Sequence, residues 1–132
     1  MNIKLALNQG TKILKNKFIN SSQLDAEILM AKSIKKDRKY ILLNLNKTIN
    51  KTELINFYKL INERSRGNPI AYLINKKSFW NSEFFVTRDT LIPRPDTELI
   101  VENAIVSMKK KNIANILDIG VGSGCILLSI LK

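Results

Sequence analysis

Residues 116–131, ILDIGVGSGCILLSIL, decide how the chain is read. An apolar run that contains Ile116, Leu117 and Ile119 leads into Gly120, Gly122 and Gly124, and a second apolar run follows from Cys125 to Leu131. Together with Asn115, the first run reads as a buried strand over 115–119, the glycines as a loop, and the rest as the opening turns of a helix. Glycine is required where the backbone takes positive φ or where a ligand must approach it closely. At a strand-to-helix junction, the free N–H groups of the helix start favour an anionic ligand group. The dinucleotide fingerprint G-x-G-x-x-G/A, counted from Gly120, needs Gly or Ala at position 125, which here is Cys125. A dinucleotide site is therefore disfavoured. The pattern present is D-x-G-x-G-x-G, Asp118 to Gly124; a tight turn that holds no ligand is the competing reading.

Working outward, LIPRPDTELIVENAIVSMKKK (91–111) places Arg94 between Pro93 and Pro95, which keeps it extended. Pro95 suits a helix start, with Asp96 and Glu98 in the positive first turn and Lys109 to Lys111 at the negative end. Val101, Ile105 and Met108 give that helix an apolar face, and Asn112 ends it. Further back, SFWNSEFFV (78–86) reads as a hairpin about Asn81-Ser82.

Everything before Ser78 reads as short helices. Ile3, Leu7, Leu14 and Phe18 recur at helical spacing. Ser22 and Asp25 resemble a capping box, which predicts a second helix with Leu24, Ile28 and Ala31 on one face. A third helix starts near Asp37. A fourth starts at Asn50 with Glu53, buries Leu54, Phe57, Tyr58 and Ile61, and ends near Arg64–Gly67; Pro69 opens a short fifth.

The chain has 132 residues and is 45% hydrophobic, enough for a core of ordinary domain size. No run reaches the roughly 18 apolar residues of a membrane span. The N-terminus lacks a signal-peptide pattern, and the single Cys125 forms no internal disulfide, so a cytoplasmic location is expected. No His is present, and no ligand cluster for a metal. The net charge of +11 is confined to residues 1–80, which hold 16 Lys/Arg against 5 Asp/Glu; residues 81–132 hold 6 of each. Scattered lysines fit a merely solvated surface, while the excess also suits an acidic partner.

LIPRPDTELIVENAI (91–105), with GNPIAYLINKKSFW (67–80) and LDAEILMAKSI (24–34) before it and the glycine loop after it, closely resembles the glutamine N5-methyltransferases that modify peptide chain release factors. The resemblance runs from Leu24 to Leu131. It implies a mostly α chain: a small helical bundle that recognises the substrate (1–75), a β-hairpin linker (76–92), and the incomplete start of a Rossmann-like α/β methyltransferase domain (93–132). It implies S-adenosyl-L-methionine as cofactor, held by Asp118, Gly120, Val121, Gly122, Ser123 and Gly124, with Arg94 and Thr97 in a segment that roofs the site. Position 121 is Val where the family more often has Thr. Leu24-Asp25-Ala26-Glu27 match a structural signature. Phe79 and Trp80 match linker aromatics that read as core packing, Cys125 as a small buried residue, and Asp96 and Glu98 as either functional or helix-start residues. The implied partner is a release factor, with weak nucleic-acid contact left open and no membrane.

The family's catalytic Asn-Pro-Pro-Tyr motif does not occur in the 132 residues, so no catalytic residue is assigned and the chain alone is expected to be inactive. A lone parallel strand has neither edge partners nor covering helices. Residues 1–75 are therefore expected to fold alone, and residues 93–132 to be poorly held, to pack as stray helices on the first part, or to pair with another chain. The alternative function is a non-catalytic basic helical module that binds an acidic protein or ribosomal RNA.

Overall fold

The structure is a computed structural model that describes residues 1–111 and 115–132. The chain divides into two compact units, Met1–Ile74 and Asn75–Lys132.

In the first unit, α1 (Ile3–Lys15) begins where the Asn2 side chain accepts from the Leu5 amide at 2.9 Å. The amides of Ile3 and Lys4, unpaired within the helix, donate to the carbonyls of Lys47 (3.0 Å) and Leu45 (2.9 Å). Ile3, Ala6, Leu7, Gly10 and Leu14 are buried. The helical spacing stops short of Phe18, which lies in the left-handed region (φ 57) and is 92% exposed; Ile19 packs on the core in its place.

The second helix, α2 (Ser22–Ile34), departs from its expected capping. The N-cap is Ser21, without a side-chain hydrogen bond. Asp25 does not serve a capping box, because its carboxylate binds Arg64 at 2.7 Å. The core face is Ala26, Leu29, Met30 and, as expected, Ala31, while Leu24 is exposed and Ile28 only half-buried. Burial of the two acids turns the helix about its axis relative to the apolar spacing. Asp37 caps α3 (Arg38–Leu43) by accepting from the Tyr40 amide at 2.8 Å. Asn50 and Glu53 form a complete capping box on α4 (Lys51–Ser65). Its Phe57 and Ile61 are buried, with Leu54 and Tyr58 packed beside them. Gly67 (φ 93) then turns the chain into α5 (Ile70–Ile74).

In the second unit, β1 (Lys76–Phe79) pairs antiparallel with β2 (Ser82–Phe85), Phe79 opposite Ser82, across a turn at Trp80-Asn81. Pro95 opens a 3-10 turn, Pro95–Thr97, and α6 (Glu98–Lys111) follows it. The expected helix end at Asn112 lies outside the described residues. α7 (Cys125–Leu131) completes a small core of Phe79, Phe84, Val101 and Cys125. Thus α6 and α7 pack on the hairpin. The strand expected over 115–119 is absent: Leu117 and Ile119 are 84% and 87% exposed, and the two strands described pair only with each other. A parallel strand forms when partners exist to take its backbone groups, and none is present among the described residues. Among the described residues no helix is long and apolar enough to cross a membrane.

Two substitutions test the first unit. A Cβ at Gly10 would lie 2.7 Å from Phe57 Cζ, against a fully buried ring. Helix propensity alone would make Gly10→Ala stabilising by about 1 kcal/mol, but overpacking costs about 1–3 kcal/mol, so a net loss is expected in urea melts followed by circular dichroism. A raised midpoint would show that α1 and α4 meet more loosely. Arg64→Met leaves the Asp25 carboxylate buried and unpaired, at a cost of about 3–5 kcal/mol, much of which Asp25→Asn in the same chain should restore. A single-variant loss under about 1 kcal/mol would reduce the pair to a surface ion pair.

Candidate functional site

Three of the five residues from Gly120 to Gly124 are glycines in the left-handed region: Gly120 (φ 83), Gly122 (φ 56) and Gly124 (φ 77). A residue with a Cβ costs about 1–2 kcal/mol there, so the glycine spacing is a backbone requirement. Their surroundings differ. No atom comes within 4 Å of a Cβ built on Gly120, and Gly122 meets only the Gly120 carbonyl at 3.8 Å, whereas Gly124 backs onto the Leu128 side chain at 3.1 Å. Gly120 and Gly122 therefore leave room for close approach, while Gly124 serves packing onto α7. The turn is closed by the Gly124 amide donating to the Val121 carbonyl (2.8 Å), and the Leu128 amide donates to the Gly124 carbonyl (2.9 Å). Val121 is 44% exposed.

Beside the loop, Asp118 Oδ2 is buried and has no hydrogen-bond partner among the described residues. A carboxylate oxygen removed from water without a donor is costly, so this position calls for a cation or hydroxyl. An open groove of about 810 Å³ borders the loop, lined by Phe84 and Phe85 of the hairpin, Gly122 and Ser123, and Leu128 and Leu131 of α7.

The structure thus gathers Asp118, Gly120, Val121, Gly122, Ser123 and Gly124 in one continuous turn. Arg94 and Thr97 stand apart. Arg94 is exposed and extended (φ −95, ψ 143), and its carbonyl accepts from the Thr97 amide at 3.1 Å. Among the described residues no hydrogen bond or ion pair joins either to residues 118–124. Glu98 has a partner that its sequence position did not reveal: Oε1 accepts from the Trp80 amide at 2.7 Å, fastening α6 to the hairpin turn. Trp80 takes positive φ (52) without being glycine, and no sequence signal marked the pair. Phe79 is a core residue, 1% exposed, and Cys125 is buried. Among the described residues no group of three or more metal-ligating side chains occurs.

The first unit offers a different surface. Residues 1–74 hold 14 Lys/Arg and 5 Asp/Glu. All five carboxylates are engaged internally: Asp25 with Arg64, Glu27 with Arg38, Glu63 with Arg66 and Asn68, Asp37 at the start of α3 and Glu53 at the start of α4. Lys47 donates to the Tyr40 hydroxyl at 2.6 Å, and that hydrogen bond raises its pKa above the ordinary lysine value. The field at the surface is that of the lysines.

A helical unit, a hairpin and a D-x-G-x-G-x-G turn that opens a helix are the elements that the sequence resemblance to methyltransferases implies. Residues 6–74 match the family described as PrmC N-terminal domain. A release factor glutamine methyltransferase from Leptospira interrogans is 43% identical over 126 residues, 94% of this chain and 44% of the relative. Its counterpart from Buchnera aphidicola subsp. Baizongia pistaciae is 42% identical over 130 residues, 98% of this chain and 47% of the relative. A bifunctional methyltransferase from Rickettsia felis is 34% identical over 156 residues, 98% of this chain and 30% of the relative. The chain belongs to the release factor glutamine methyltransferase family. It spans about half the length of the curated relatives of that name.

Glu98→Ala strips the Trp80 amide of its acceptor, a loss of about 1–3 kcal/mol. The expected outcome is faster amide exchange at Trp80 and a red-shifted emission from this single tryptophan, with α1–α5 unaffected. Unchanged exchange at Trp80 would show that the hairpin holds its turn without Glu98.

Proposed function

We propose that this chain supplies the substrate-docking head and first cofactor loop of an S-adenosylmethionine-dependent methyltransferase, which acts on the side-chain amide nitrogen (N5) of the glutamine in the Gly-Gly-Gln motif of peptide chain release factors. The observation that carries the reading is the collinear match, 42–43% identical over 94–98% of the chain, to proteins named release factor glutamine methyltransferases. In this reading residues 1–75 dock the release factor, residues 76–92 link, and residues 93–132 open the methyltransferase domain, in the cytoplasm where translation ends.

The residues fit the cofactor. The donorless oxygen of Asp118 suits the ammonium of its amino-acid end, and the space beside Gly120 and Gly122 admits it. Backbone N–H groups of residues 120–123 suit its carboxylate, and the family resemblance adds Arg94 and Thr97 as residues that close over it. When bound, the cofactor supplies an electrophilic methyl group. A neutral amide is a weak nucleophile, so rate comes from holding its nitrogen in line and accepting its N–H bonds. The residues that do so in the family, Asn-Pro-Pro-Tyr, are not among these 132, and the chain alone is inactive in this reading.

A second reading, a non-catalytic module that docks an acidic protein surface, draws on the internally consumed carboxylates of residues 1–74. In that case binding to the release factor survives without any cofactor affinity.

The test is a chimaera in which residues 1–132 replace the aligned segment of the Buchnera relative. Methyl transfer to a release factor is expected within about tenfold of the parent enzyme, with Arg94→Ala lowering kcat/KM by about 10–100-fold through loss of a charged hydrogen bond. A folded chimaera that binds cofactor yet leaves the release factor unmethylated would sink the proposal.

A further inference from the structure

We infer that the hollow at the start of α2 is a binding site for a phosphate group, free or borne on an ester, held by the Gln23 and Leu24 amides, the Ser22 hydroxyl, Lys15 and Arg38. It lies within the first unit and does not depend on the methyltransferase reading. Ser21 precedes α2 (φ −83, ψ 19), but its side chain makes no capping hydrogen bond. A serine in that place ordinarily accepts from an amide of the first turn. Here the Ser22 amide donates to the Ile19 carbonyl at 3.1 Å and the Asp25 amide to the Ser21 carbonyl at 2.8 Å, while the amides of Gln23 and Leu24 donate to nothing among the described residues. Two adjacent donors thus stay open at the positive end of a 13-residue helix. A helix start by itself is satisfied by water. Ser22 is what points to a ligand. It is only 8% exposed, yet its hydroxyl has no hydrogen-bond partner among the described residues, and it lines an open hollow of about 530 Å³. A polar side chain so nearly buried is ordinarily hydrogen-bonded.

The charge of the ligand follows from the lining. Lys15, in the last turn of α1, and Arg38, in the first turn of α3, both border the hollow. Lys15 is exposed and forms no ion pair among the described residues. Arg38 uses Nε on Glu27 at 2.7 Å, its side chain is 50% exposed, and its Nη groups make no hydrogen bond among the described residues. The carboxylate in the lining is that of Glu27, and both its oxygens are taken: Oε2 by Arg38, and Oε1 by Gln23 Nε2 at 3.1 Å. What remains is a set of donors from three helices around one space. A carboxylate has two oxygens to offer them. A phosphate offers at least three and up to two negative charges, which fits the set better. The open side leaves room for whatever the phosphate is joined to.

The test is a titration of the 132-residue chain, labelled for amide resonances, with inorganic phosphate against chloride at matched ionic strength. Saturable shifts of the Gln23 and Leu24 amides are expected. Ser22→Ala should weaken phosphate binding by about tenfold or more through loss of a hydrogen bond to a charged group, with no fall in the urea midpoint, since no internal partner is lost. Lys15→Gln should weaken binding as well. Lys12→Gln, the same charge change one turn earlier on α1 and outside the hollow, should leave it unchanged. Uridine monophosphate, titrated in parallel, separates the sources: tighter binding than inorganic phosphate assigns the site to an ester, and equal binding assigns it to the free anion. Shifts that do not saturate, full affinity or a lowered midpoint in Ser22→Ala, or equal losses in Lys12→Gln and Lys15→Gln would each overturn the inference.

Discussion

The first unit is organised around the Asp25 carboxylate. It is 5% exposed, on the helix that packs against α1, α3, α4 and α5, and it is held by Arg64 Nε at 2.7 Å. The same guanidinium donates through Nη1 to the Asn68 carbonyl at 3.1 Å, so one side chain fixes both the register of α2 on α4 and the turn that leaves α4. Desolvation of the two charges offsets most of their attraction, and the pair adds little net stability over an apolar substitute. Its effect lies in exclusion. Any helix arrangement that buries Asp25 without Arg64 strands a charge, so alternatives with equal apolar burial are removed. Glu27, 6% exposed, constrains α2 against α3 in the same way through Arg38. Two acids two residues apart thus fix the rotation of the central helix.

That constraint explains where sequence reading succeeded and where it did not. Helix positions and their polar starts were legible: Asp37 and the Asn50–Glu53 box act as their residue types suggest, and so does the α4 stripe of Leu54, Phe57, Tyr58 and Ile61. The face of α2 was not legible, because apolar spacing favours Leu24 and Ile28 while a buried ion pair 39 residues apart in sequence decides the rotation. Phe18 misled for a local reason. It continues the α1 spacing, but the helix ends at Lys15, and the left-handed backbone at residue 18 swings the ring outward. In each case the spacing carried the local preference, and a long-range or backbone constraint prevailed.

In the second unit the sequence conveyed the elements better than their company. The hairpin, α6 and the glycine loop all follow from residue types. The strand at 115–119 does not form, since strand formation is a property of neighbours: these residues have the composition of a buried parallel strand and no ladder to join. The hairpin instead gathers α6 and α7 on Phe79 and Phe84, whose rings meet edge to face at 6.2 Å. Glu98, legible only as a helix-start acid, turns out to fasten that arrangement through the Trp80 amide.

The glycine loop separates what is local from what is not. Its three left-handed glycines and the Val121–Gly124 turn are formed although the strand before them is not. The loop conformation is therefore encoded within residues 120–124 and needs no sheet. Asp118, two residues before the loop, has a buried carboxylate oxygen without a donor among the described residues. Ordering the strand would cost backbone entropy of about 1–2 kcal/mol per residue, against a loop that needs no rearrangement.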